Sequence, residues 1–114
     1  MSTKPDPRLR TIKIKSGVVK RLAKEVVAYE KESVREEERL TKMKQGGQED
    51  GRIKLQEKVI QESLMMIPDC RKRLQLAWDE LKEILDSETD LAEKEDFIAA
   101  QSILEETQPK MAAL

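Results

Sequence analysis

Apolar residues recur along most of this chain at alternating steps of three and four. The cleanest run is Ile53, Gln56, Ile60, Ser63, Ile67, Cys70, Leu74, Ala77, Leu81 and Ile84, in which only Gln56 and Ser63 are polar amides or hydroxyls. A mean step of 3.5 residues keeps one helix face turned toward neighbouring helices, so the run predicts a helix over about 52–85 with a coiled-coil-like seam. Pro68 falls inside it. A proline there removes one backbone hydrogen bond and crowds the carbonyl of Leu64, so a kink is expected at that point. The pattern keeps its phase across Pro68, which predicts one bent helix and not two separate ones.

A first helix is expected over about 7–45. Asp6 precedes Pro7; an aspartate can cap orphan N–H groups, and proline at the first helical position sacrifices no bond. Ile12, Val19, Leu22, Val26, Tyr29, Leu40 and Met43 follow the same spacing, with Ser33 and Glu36 as polar interruptions. Gly17 is a weak point within it. Gly46, Gly47 and Gly51 lie within a short polar stretch that should end this helix and reverse the chain. A second break is expected at 86–90, where Ser87 and Asp90 resemble a capping box. A third helix over about 88–106 would carry Leu91, Phe97, Ile98, Ile103 and Leu104, and Pro109 would end it. Residues 1–5 and 109–114 read as loose ends. Two long helices and a shorter one predict an all-α fold: an elongated antiparallel three-helix bundle of coiled-coil type, one domain over 1–114.

Composition supports that architecture. Of 114 residues 39% are charged and only Tyr29, Trp78 and Phe97 are aromatic, which suits a narrow seam better than a broad core. Net charge is −1, but it is unevenly spread. Residues 1–24 carry eight Lys or Arg against Asp6, and residues 86–114 carry eight Asp or Glu against Lys94 and Lys110. Such polarity either orients a charged partner or lets the two ends attract each other within the bundle.

The catalytic inventory is thin. Without histidine the commonest general base near neutral pH is missing, and His/Cys metal sites are excluded. The glycines lack the Lys-Ser/Thr ending of a phosphate loop. Glu36-Glu37-Glu38 lies on a helix without a loop to wrap an ion. No enzyme activity, cofactor or metal is therefore expected. Cys70 sits on the seam between Ile67 and Leu74, which favours packing over nucleophilic chemistry. The basic stretch Arg8, Arg10, Lys13, Lys15, Lys20, Arg21 and Lys24 lacks interleaved aromatics, which argues against nucleic acid. A single cysteine, no signal-like start and no long apolar run predict a soluble cytoplasmic protein that avoids membranes.

Val18, Val27, Val34, Leu64, Met65, Met66, Leu76, Trp78 and Leu85 fall off the seam. Some must widen the core of a three-helix bundle; others could form a contact patch. Leu64 to Pro68 is the foremost segment, and it reads equally as an adaptable partner surface or as filling around a kink.

That segment also carries a family resemblance. Residues 61–74, QESLMMIPDCRKRL, resemble the signature of the tubulin-binding cofactor A family. Residues 12–25, IKIKSGVVKRLAKE, and 29–32, YEKE, are similar to that family's first helix, in the same order. The resemblance spans roughly residues 6–106. It implies a three-helix bundle that captures quasi-native β-tubulin after chaperonin release and passes it, with other tubulin-folding cofactors, toward the α/β heterodimer. It further implies contact through helix surfaces, with no nucleotide hydrolysis by this cofactor, and a cytoskeleton-associated setting. The binding role carries onto Tyr29, Glu30, Lys31 and Glu32, and onto Met65, Met66, Ile67, Pro68, Asp69 and Arg71. Leu64 stands where the family commonly has a charged residue, and Trp78 where a smaller or phenolic one is usual. Both add apolar surface. The rival reading is a spectrin-like helical spacer or adaptor, although the chain shows no tandem repeat. Both monomer and homodimer remain compatible with the pattern.

Overall fold

The computed structural model describes residues 6–111, and within them the fold is all-α with no strand. Helix α1 spans Pro7–Gln45, α2 spans Asp50–Ser87 and α3 spans Glu95–Met111. A 3-10 turn, Thr89–Leu91, precedes α3. The leader 1–5 and residues 112–114, expected to be loose, lie outside the described residues.

The start of α1 follows from two residues. Asp6 Oδ1 accepts the Arg8 N–H at 2.9 Å, and the Asp6 carbonyl accepts the Leu9 N–H at 3.0 Å. The carboxylate thereby satisfies a donor that a helix N-terminus leaves orphaned. The C-terminus of α1 closes on glycine. Gly47 has φ 68°, its N–H bonds the Lys44 carbonyl at 3.3 Å, and the Gln48 N–H bonds the Met43 carbonyl at 3.1 Å. This pair of bonds around a left-handed residue is a Schellman motif. Gly51, placed in the break by its composition, instead lies in the first turn of α2, because the Glu49 carbonyl already accepts from Arg52 and Ile53.

Of the described residues, 6–23 and 71–111 form one compact unit, and Lys24–Cys70 form another. The first unit contains the start of α1, the end of α2 and all of α3. Its core takes Ile12, Val19, Leu22, Leu74, Leu81, Leu85, Leu91, Phe97, Ala100, Leu104 and Met111, each less than a tenth exposed. Full burial of one such side chain stabilises by about 1.5–3 kcal/mol before chain entropy is subtracted. The second unit is a helical hairpin of α1 and α2 around Val26, Ile60, Ile67 and Cys70. α2 runs without interruption through Pro68.

Four further expectations need correction. Ser87 and Asp90 form no capping box: the Ser87 hydroxyl donates to the Ile84 carbonyl, and no side chain caps the 3-10 turn. Helix α3 starts at Glu95 and not near 88, since Leu91 is drawn into the core by a 3-10 turn. Pro109 does not end α3, which continues to Met111. Phe97, Ala100, Leu104, Thr107 and Met111 repeat at three-four spacing and are all buried. Burial of Met111, one heptad beyond Leu104, favours continuing the last turn past the proline. Ile98, assigned to the apolar side, is 51% exposed.

Candidate functional site

Two polar contacts set the register of the hairpin unit. Gln56 Nε2 donates to the Glu36 carbonyl at 3.0 Å and to Glu36 Oε2 at 2.6 Å. The Cys70 thiol donates to Glu25 Oε2 at 3.8 Å. Moving from Gln56 to Cys70 along α2 thus retraces α1 from Glu36 to Glu25, and the pairing is antiparallel. The same offset sets residues 29–32 abreast of about 60–66. Two stretches about 30 residues apart in sequence are therefore neighbours in space.

The structure sorts the named residues by side. Met65 is 73% exposed and Met66 40%, while Ile67 is buried in the hairpin core. Lys31, Glu32, Pro68 and Asp69 are exposed, and Tyr29 and Glu30 are half-buried. The sequence left open whether the methionines fill the bundle; the structure puts both at the surface. Arg71 is half-buried and belongs to the other unit, so it is not grouped with the hairpin residues. Cys70 is buried and its thiol faces a carboxylate, a packing position.

Apolar exposure is uneven. Nine large apolar residues are exposed among the described residues, and six of them belong to the hairpin: Val34, Leu55, Val59, Leu64, Met65 and Met66. The hairpin is thus the place where a partner would gain most by covering surface. Glu30, Lys31, Val34 and Arg35 line an open concavity of about 400 Å³. A second groove of about 450 Å³ is walled by Glu36, Arg39, Met43, Arg52, Leu55, Gln56 and Val59. Leu55 and Val59 escaped the sequence reading. Their only signal was two apolar residues four apart beside the seam, which is as common in a widened core as on a contact surface.

The three-helix unit carries a different cluster. The Arg8 guanidinium pairs with Asp6, Glu88 and Asp90, with 2.9 Å between its Nη2 and Asp90 Oδ2. Side-chain and backbone hydrogen bonds from Arg8 push the Asp6 carboxyl down to about 2, and the Arg8 side chain lowers Asp90. Lys15 pairs with Glu80 at 2.7 Å. Part of the basic N-terminal stretch is therefore engaged by carboxylates of its own unit. Trp78 adds less surface than its size suggests. It is half-buried, and its indole N–H donates to the Leu104 carbonyl of α3 at 2.9 Å. No group of three Cys, Asp or Glu among the described residues is placed to hold a metal ion, and no helix is long and apolar enough to cross a membrane.

Fold and surface together define a small helical-bundle protein whose exposed apolar side chains gather on one helical hairpin. Its sequence is matched by the tubulin binding cofactor A family model over residues 7–104, and the chain belongs to that family. It is 55% identical over 100 residues to tubulin-specific chaperone A of Gallus gallus, covering 88% of this chain and 93% of that protein. The solved structure of human tubulin chaperone cofactor A matches with a TM-score of 0.78 at 48% identity, covering 90% of this chain and 99% of the other. Tubulin folding cofactor A from Arabidopsis thaliana matches with a TM-score of 0.84 at 36% identity, over 90% and 97% of the two chains.

Proposed function

We propose that this protein is a holding chaperone for β-tubulin. It captures the quasi-native subunit after chaperonin release and passes it to other tubulin-folding cofactors on the way to the α/β heterodimer. Family membership supplies the class of client. The observation that carries the reading is the concentration of exposed apolar side chains on the hairpin, with Met65 73% exposed beside the charged stretch Glu30-Lys31-Glu32. Methionine side chains are flexible and polarisable, so they adapt to an incompletely folded surface. Charged neighbours keep the free protein soluble and favour reversible contact. The proposed contact set is Tyr29, Glu30, Lys31, Glu32, Met65, Met66, Pro68 and Asp69, with Ile67 holding the hairpin beneath them; Arg71 is proposed as a separate contact on the other unit.

The test is direct. Purified protein mixed with β-tubulin newly released from chaperonin is run on a native gel and a sizing column. Co-migration of the two is expected. Separate migration at micromolar concentrations of each would contradict the proposal.

A further inference from the structure

The groove between α1 and α2 in the hairpin unit has a chemistry that the family signature does not include. Three of its seven lining residues are apolar: Leu55 is 64% exposed, Val59 is 38% exposed, and Met43 is half-buried on the other helix. Gln56 closes its floor and engages Glu36, both at the carbonyl and at the carboxylate. Arg39 and Arg52 also line it, and neither guanidinium has a hydrogen bond or ion pair among the described residues. Leu55, Val59 and Met66 are four and seven residues apart, so they share one side of α2. An apolar strip between two helices, edged by these two cations, suits an amphipathic helix bearing carboxylates beside its apolar stripe.

A second copy of this chain fits poorly. A two-fold pairing of groove on groove would bring four arginines, two from each copy, into one interface, where like charges repel. The one anionic side chain in the groove, Glu36, is already held by Gln56.

Resting on the chaperone reading above, we infer that this groove is the docking site for an acidic amphipathic helix of the β-tubulin client. The apolar strip supplies the burial and the two arginines set orientation and partner choice. Charged groups at the rim of an interface act mainly on encounter and salt dependence, whereas the buried strip governs residence.

The experiment compares capture of chaperonin-released β-tubulin by the full chain and by two double variants, Leu55→Ser with Val59→Ser and Arg39→Glu with Arg52→Glu. Circular dichroism and thermal melting check that each is folded. A photoreactive residue at position 55 reports what occupies the groove. Capture by the parent chain is expected to weaken about tenfold in each folded variant, and charge reversal should remove most of its salt dependence. The cross-link should map to a β-tubulin helix with Asp or Glu beside its apolar stripe. If the parent captures β-tubulin and both folded variants do so equally well, the groove assignment falls while the chaperone reading stands. A cross-link to a second copy of this chain, or to a non-helical segment, also overturns it. If the parent captures no β-tubulin, the chaperone reading fails and takes this inference with it.

Discussion

Single residues show how local chemistry was turned into structure. Gly47 is held at φ 68°, where a Cβ is strained whatever the surrounding space. Gly17 lies in the interior of α1, and a methyl group added there would meet nothing within 4 Å. The same substitution should therefore act in opposite directions. Gly47→Ala is expected to lower stability by about 1–2 kcal/mol, and Gly17→Ala to raise it by about 0.5–1 kcal/mol. Urea unfolding of the two variants checks this, and equal signs would refute the cap geometry. Arg8 makes a second residue-scale case. Asp6 and Asp90 have carboxyls held below the ordinary range by Arg8, so their pairing stabilises the fold above about pH 4. That contribution is lost as pH falls, through about 2 for Asp6. In Arg8→Ala the Asp6 titration followed by NMR should move back toward the ordinary carboxylate value of about 4. It should move only part of the way, because the N–H of residue 8 still reaches the Asp6 carboxylate. An unmoved midpoint would show that the guanidinium is not the cause.

Elements raise the question of which apolar side chains are core. Met65 and Met66 are exposed on α2. Replacing both by serine should leave helicity and melting temperature nearly unchanged while weakening β-tubulin capture about tenfold or more. A melting temperature lowered by about ten degrees would instead assign them to packing. The seam of α2 was legible from spacing alone: Ile60, Ile67, Cys70, Leu74 and Leu81 are all buried where the three-four rhythm puts them. So was the start of α1, because Asp6-Pro7 is a local signal. The beginning of α3 was not, since Glu88 and Asp90 bind Arg8, 80 residues and more away in sequence. A capping box is inferred from neighbours, and a distant guanidinium competes for the same carboxylates without leaving any local trace. The extension of α3 past Pro109 depended likewise on tertiary burial of Met111. The candidate surface was half legible. Tyr29 to Glu32 and Met65 to Asp69 could be named from resemblance, but not that the hairpin register brings Met65 and Met66 close to the level of Tyr29. Leu55 and Val59 could not be separated from core residues by period.

At the scale of the whole molecule, the described chain divides its labour between units. The three-helix unit holds most of the buried apolar residues and the Arg8 and Lys15 ion pairs. The hairpin unit holds most of the exposed apolar ones. A chaperone needs both qualities, because stability and stickiness compete when they share the same surface. Of the uneven charge noted in the sequence, Arg8 of the basic end meets Glu88 and Asp90 of the acidic end within the three-helix unit. On the proposed function, β-tubulin covers the hairpin surface. Hydroxyl-radical footprinting of the free chain and of the complex measures that coverage, since methionine is readily oxidised and the buried Met111 serves as an internal reference. Oxidation of Met65 and Met66 is expected to slow several-fold in the complex while Met111 stays slow in both. Unchanged oxidation of Met65 and Met66 in a complex that demonstrably contains β-tubulin would contradict it.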